Sequence, residues 1–282
     1  MEWLLKITLT LFVLVIGLCF GSFINVVVYR INNNRSPLWG RSYCPQCKHQ
    51  LVWFDNIPLL SFILLKGHCR YCHSPISFQY PLVELGTAII TLLVLFKTSN
   101  SLISNFSSFA FGYGRTPQFL IFNEFSIINL AIGLIITYCL ITIFVSDLLY
   151  YTVPTEPLII CFFIGLLSIY FNGFNIYGFI LSAIGAGLFF EILHLATHKK
   201  GMGFGDVEIA FIIGFILGWP KTAESIMLAF LTGALVGVIL ILSGQKKFSS
   251  QVPFGPFLVF WLWLFYFYNP PSQFFEKLFL GF

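Results

Sequence analysis

Apolar runs of about 20 residues recur along most of this 282-residue chain. Wound as an α-helix, a run of that length matches the ~30 Å hydrocarbon core of a bilayer. Only helices and closed barrels satisfy every backbone group in lipid. The runs lie at about 7–29, 80–96, 126–146, 157–171, 176–196, 207–219, 223–243 and 254–268, with 80–96 and 207–219 the shortest. Pro, Gly, Asn or charge fills the breaks between them, as at Pro154, Asn172-Gly173 and Trp219-Pro220. Only 9% of the residues are charged, against about 25% in a soluble domain. An ordinary cytosolic, secreted or nucleic-acid-binding protein is therefore excluded, and the lipid bilayer is an expected partner. The expected fold is an all-α polytopic membrane protein with about eight transmembrane helices.

The first run follows a weak basic segment, lacks an A-x-A cleavage site and is too long for a signal-peptide core. It reads as a retained helix. Two connections are expected as long loops, Arg30–Pro81 and Lys97–Phe125. With eight spans, ten of the fifteen Lys and Arg residues fall on one side, including Arg30, Arg35, Arg41, Lys48, Lys66 and Arg70. Excess Lys and Arg mark the cytoplasmic side, which places both termini outside. The chain then divides into a first helix over 1–29, a cytoplasmic loop over 30–80 and a membrane-embedded domain over 81–282.

That loop carries Cys44-Pro-Gln-Cys47 and Cys69-Arg-Tyr-Cys72, separated by 21 residues. Each C-x-x-C turn sets two thiolates on one tetrahedral edge, and two such turns form a closed four-sulfur site for structural zinc. Metal would replace the core that a 50-residue loop cannot build alone. Two disulfides are the bland alternative, disfavoured in a reducing compartment. His49, His68 or His73 could also take the place of one Cys. Cys19, Cys139 and Cys161 lie in apolar runs, where Cys acts as a small hydrophobe.

Among eight Glu, the chain has only three Asp: Asp55, Asp147 and Asp206. Asp55 sits in the four-cysteine loop and reads as structural. Asp147 ends the third span and Asp206 begins the sixth, behind Gly201-Met-Gly203-Phe-Gly205, so both fall at one membrane level. An intramembrane carboxylate costs roughly 2.5–3.5 kcal/mol on lenient insertion scales. Two at matched depth point to a shared, water-accessible site. Close carboxylates do not both ionise readily, so such a pair shares a proton. One can then take a proton from water while the other polarises a peptide carbonyl. The bland account is that each Asp caps a helix. The Gly-rich run lacks the spacing and preceding strand of a nucleotide loop.

At these residues the chain resembles the type IV prepilin peptidases, bacterial GxGD-type aspartyl proteases that also act as N-methyltransferases. The resemblance rests on Gly21-Ser-Phe-Ile-Asn25-Val-Val-Val-Tyr-Arg30, both cysteine pairs, Asp55-Asn56-Ile-Pro58 and Tyr80-Pro-Leu-Val-Glu84-Leu. It continues through Asp147 with Pro154, Gly201–Asp206 and Val252-Pro-Phe-Gly-Pro256. It implies an inner-membrane enzyme whose catalytic pair is Asp147 and Asp206. It further implies type IV prepilin and pseudopilin precursors as substrates, cleaved after Gly on the cytoplasmic face. The new N-terminal residue, usually Phe, would then be methylated from S-adenosylmethionine, for which no binding residues can be read.

Two positions depart from the family pattern: Glu208 replaces a Lys, and Gln79 replaces an Arg. Glu208 adds negative charge near the pair, and neither change removes a catalytic group. Glu84 is open to two readings, a first-turn acid or a contact in the active site. Glu191, His194 and His198 share a helix face, but Leu195 stands where H-E-x-x-H requires Glu, so an interfacial polar face is expected. Trp261 and Trp263 read as lipid-facing or interfacial. The main rival from another class is a proton- or cation-coupled transporter, which predicts acids at the midplane and an internal repeat.

Overall fold

The computed structural model describes residues 2–37, 39–110, 118–197, 202–244 and 252–268. They form α1 (Glu2–Asn32), a 3-10 turn (Trp53–Asn56), α2 (Leu60–Leu64), α3 (Gln79–Ala110), α4 (Gln118–Tyr150), α5 (Thr155–Phe171), α6 (Ile176–Ala196), α7 (Phe204–Leu217), α8 (Lys221–Leu242) and α9 (Gly255–Tyr268). Each of the eight apolar runs coincides with one helix, α1 or α3 to α9. Two isolated bridges, Tyr43 with Gln50 and His68 with Pro75, are the β-pairing among the described residues. The chain is an all-α, multi-pass membrane protein. By length and composition α1, α3, α4, α6 and α8 can each cross a bilayer, while α5 and α9 are shorter apolar helices.

One expectation fails. The segment after Lys97 is no long loop, because α3 runs on to Ala110 and α4 starts at Gln118. Ser and Asn are only mildly unfavourable in a helix, whereas the strong breakers, Gly112, Gly114 and Pro117, cluster further on. Loss of hydrophobicity ended the apolar run without ending the helix.

The chain divides into two compact units, Met1–Leu134 and Ile135–Phe282. In the first, α1 packs on α3 through small residues. A Cβ added to Gly17 would lie 2.6 Å from the Ala88 Cα, and one added to Gly21 would lie 2.6 Å from the Glu84 Cα. The four-residue spacing on both helices repeats the contact one turn later, as small-xxx-small packing requires. Polar groups nearby are spent locally. The Asn25 amide donates to the Tyr80 carbonyl at 3.2 Å. The buried Arg30 guanidinium donates to the carbonyls of Pro37, Trp39 and Gly40, fixing the start of the loop.

In the second unit α7 lies among α5, α6, α8 and α9. Gly214 allows the closest approach, since its Cβ would fall 2.5 Å from the Ala183 Cα of α6. Side-chain hydrogen bonds join the surrounding helices. Ser182 donates to Thr222 at 2.9 Å, Trp261 to Thr232 at 3.0 Å and Trp263 to Thr137 at 3.2 Å. The two Trp residues therefore link α9 to α8 and α4, a more specific use than lipid contact.

Substituting Gly21→Val should drive α1 from α3 and cost about 1–3 kcal/mol, the usual range for overpacking. Thermal unfolding in detergent measures this, and an unchanged midpoint would contradict the packing.

Candidate active site and four-cysteine centre

Asp147 lies in the last turn of α4, where the helix dipole disfavours an acid. It does not cap its own helix. Its carboxylate accepts a hydrogen bond from the Gly255 amide at the start of α9, so the N-terminus of another helix supplies the missing positive end. The residue is buried, and its Oδ2 has no hydrogen-bond partner among the described residues. Gly255 cannot be larger, because a Cβ there would meet Asp147 Oδ2 at 2.5 Å. Beyond Asp147 the helix closes with the Tyr151 amide bonded to the Asp147 carbonyl at 3.0 Å. Tyr151 takes a left-handed φ of 56°, and the chain turns through Val153 into Pro154, the N-cap of α5.

Asp206 is the third residue of α7, after the N-cap Gly203. Its carboxylate accepts from the Gly203 amide, one half of a capping box. The capping account thus describes Asp206 and fails for Asp147. The two carboxylates lie close enough to interact electrostatically, and the His194 imidazole also acts on Asp206. Gly205 brings the two segments together: a Cβ on it would lie 2.7 Å from the Val153 Cβ. The last Gly of the Gly-rich run is therefore needed because the chain leaving Asp147 passes directly against it.

His194, buried near the end of α6, donates from Nδ1 to the Met202 carbonyl at 2.8 Å and meets the Phe204 ring at 6.1 Å. It holds the loop that presents Asp206, a role its spacing with Glu191 did not reveal. His198, the third member of that expected face, lies outside the described residues. An apolar cavity of about 500 Å³ is bounded by Leu148, Tyr151, Val236, Val252, Pro256 and Phe257, of which Leu148 and Pro256 directly follow Asp147 and Gly255 in the chain. Glu208 is partly buried one turn into α7.

In the first unit, the four thiols of Cys44, Cys47, Cys69 and Cys72 all lie within 4.8 Å of one another and could hold a metal ion. None is in a disulfide. The Cys44 and Cys72 sulfurs are 3.9 Å apart, near the ~3.8 Å edge of a tetrahedron with metal–sulfur bonds of about 2.3 Å. The two knuckles have matching geometry. The amides of Lys48 and His73 return to the carbonyls of Cys44 and Cys69 at 2.8 and 3.0 Å. Lys48 and His73 have left-handed φ values of 58° and 56°. The Ser74 hydroxyl, with its backbone amide, holds the Cys72 thiol down at about 6. The His49 amide favours the Cys47 thiolate, but desolvation and the neighbouring thiols outweigh it and push Cys47 up to about 11. Four adjacent thiols do not ionise together without a cation.

The histidines stand outside this cluster: His49 stacks on Tyr71 at 3.7 Å, and His68 donates to the Lys66 carbonyl at 2.8 Å. Asp55 forms a 2.8 Å salt bridge with Arg70 of the second knuckle. Glu84 is buried, accepting from the Leu59 amide at 2.8 Å and from Ser22. It therefore ties the loop to α3 and α1.

Replacing His194 by Ala should release the Met202 carbonyl and cost about 1 kcal/mol, roughly a fivefold faster hydrogen exchange at the amides of 204–207. His194→Asn, which can still donate, should keep part of the protection. Equal exchange in wild type and Ala variant would contradict the hydrogen bond's role.

The model of the Bacterial Peptidase A24 N-terminal domain matches residues 15–98, and that of the Type IV leader peptidase family matches 134–241. The chain is similar to the prepilin leader peptidase/N-methyltransferase of Aeromonas hydrophila, at 31% identity over 89% of this chain and 88% of that one. It is similar to the proteins of the same name from Pseudomonas putida (27%; 89% and 87%) and Burkholderia pseudomallei strain K96243 (29%; 88% and 81%). No solved structure matches. Nothing here supports the transporter reading. With both halves matched and the relatives aligned nearly end to end, the chain belongs to the type IV leader peptidase family.

Proposed function

We propose that this protein is an intramembrane aspartic endopeptidase that removes the leaders of type IV prepilins and pseudopilins, with Asp147 and Asp206 as its catalytic residues. The observation that carries the reading is the burial, in one unit, of two interacting carboxylates brought there by different helices. Asp147 sits at the unfavourable end of α4 with its Oδ2 unpartnered among the described residues, a placement that helix capping does not explain. The relatives' printed names supply the substrate class.

In the proposed reaction the pair shares one proton. The ionised carboxylate takes a proton from water as its oxygen attacks the carbonyl of the Gly before the scissile bond. The protonated carboxyl donates to that carbonyl oxygen. Collapse of the tetrahedral centre breaks the C–N bond as one of its hydroxyls returns its proton to the carboxylate that donated it, and the proton removed from water passes to the leaving amine, so the pair again holds one proton. Gly255 and Gly203 fix the two carboxylates through backbone amides, so little reorganisation accompanies the charge movement.

Cleavage after Gly at the cytoplasmic face of the bacterial inner membrane, with both termini outside, follows from the distribution of Lys and Arg and from the family. N-methylation of the new terminus, usually Phe, follows from the relatives' names, with S-adenosylmethionine as the donor. The apolar cavity lined by Leu148 and Tyr151 does not fit that donor, since no charged side chain among the described residues lines it. No step is assigned to it.

The four-thiol cluster fits zinc in its donor set and sulfur spacing, with Cys44, Cys47, Cys69 and Cys72 as ligands. When bound, the ion cross-links the two knuckles and stabilises the loop.

On a synthetic prepilin, Asp147→Asn and Asp206→Asn should each abolish leader cleavage while leaving the helical spectrum unchanged. Cleavage retained by either variant would overturn the assignment. Separately, the double variant Cys44→Ser, Cys69→Ser should purify without zinc by elemental analysis; wild-type zinc content would contradict these ligands.

A further inference from the structure

The four-cysteine loop contains a conspicuous amount of uncovered apolar surface. Of the five residues of α2, Leu60, Ile63 and Leu64 are exposed, the last two at 67% and 69%. Trp53, in the preceding 3-10 turn, is exposed at 78%. A loop surrounded by water would lose by this arrangement, since each exposed Leu or Ile forgoes the stabilisation of burial.

The position of α2 along α3 identifies what covers this surface. On α3, Leu82, Leu85, Ile89, Leu93 and Phe96 are all exposed. Their spacing of three and four puts them on one helical face, within a segment able to cross the bilayer. A spanning helix turns such an exposed apolar face toward lipid. Phe78, just before the helix, is also exposed, and its ring packs edge-on against Phe62 of α2 at 5.3 Å. The exposed apolar stripe therefore continues, through an aromatic contact, onto α2.

Depth follows from a second, independent contact. The residue that leads into α2, Leu59, donates its amide to the buried Glu84 carboxylate at 2.8 Å. Glu84 lies five residues into α3, about 7.5 Å along the axis at 1.5 Å per residue. A helix tethered there starts beside the second turn of a membrane-spanning helix. Interfacial helices bury their apolar faces about 5–10 Å into the boundary between headgroups and acyl chains. Lys66, exposed immediately after α2, can extend its ammonium to the headgroups.

We propose that α2 and Trp53 lie in the headgroup–acyl boundary, so that the four-cysteine loop rests on the bilayer and does not stand free in water. The covering partner is the lipid surface itself. Glu84 then sets the depth of the loop, and the two knuckles are held at the membrane surface. The proposal is independent of the catalytic reading.

Photocrosslinking in lipid nanodiscs tests it. With the full chain, p-benzoylphenylalanine is installed singly at Ile63, Leu64, Ile89 on α3, and the exposed Arg41 as an aqueous reference. Intact-mass spectra after irradiation report lipid adducts. Lipid adducts from Ile63 and Leu64 comparable with those from Ile89, and absent from Arg41, are expected. Ile63 and Leu64 behaving like Arg41 would overturn the proposal. So would adducts joining two copies of the chain in place of lipid, which would mean that the patch is a protein interface. Using both positions keeps the test decisive if one variant fails to fold.

Discussion

The enclosure of α7 is the constraint on which the second unit depends. Ten of its fourteen residues are buried, and at about 1.5 Å per residue it is only about 21 Å long, short of the ~30 Å hydrocarbon core. A helix this short and this enclosed owes its position to its neighbours. Its first turn carries Asp206, so the packing that fixes α7 also fixes a carboxylate. Gly214 against Ala183 sets its distance from α6, and Gly205 against Val153 sets its distance from the chain leaving Asp147. The close approach of two acids is thus built from small residues, each with a backbone or branched side chain where a Cβ would have been.

In so apolar a chain nearly every polar group has local work. Arg30 binds three loop carbonyls, Glu84 binds the Leu59 amide, and Asp55 binds Arg70. His194 binds the carbonyl of Met202. Asp147 departs from this pattern as the one carboxylate in that position among the described residues: it accepts from the Gly255 amide, yet its Oδ2, like Asn25 Oδ1 and Ser225 Oγ, has no partner there. A buried unpaired carboxylate oxygen costs stability, and a functional site is where such a cost is tolerated. The four-cysteine loop solves a different problem. It has little core, and depends on its thiol cluster and its tether to α3.

Much of this was legible in the sequence. Apolar length located eight helices among the described residues, five of them long enough to cross a bilayer, since hydrophobicity is what lipid selects. The two C-x-x-C pairs announced the thiol cluster, and the scarcity of Asp isolated Asp147 and Asp206. The helix beyond Lys97 was missed because the end of an apolar run is not the end of a helix when no strong breaker follows. The donors to the site were missed for another reason. Gly255 stands 108 positions from Asp147 in the sequence, and its contribution is a backbone amide, which carries no residue signature. His194 was visible only as a member of an i, i+3 face, a pattern that says nothing about a carbonyl on the following loop.

The central claim is that Asp147 and Asp206 act together on one tetrahedral centre. The most direct measurement is the affinity for a prepilin peptide in which the scissile amide is replaced by a hydroxyethylene group, compared with the unmodified peptide. Two carboxylates sharing a proton should hold that hydroxyl about 10²-fold or more tightly than the substrate, as transition-state analogues are held. The preference should vanish in Asp147→Asn and in Asp206→Asn alike. Equal affinity for the two peptides in the wild type, or a preference that survives either substitution, would contradict the account.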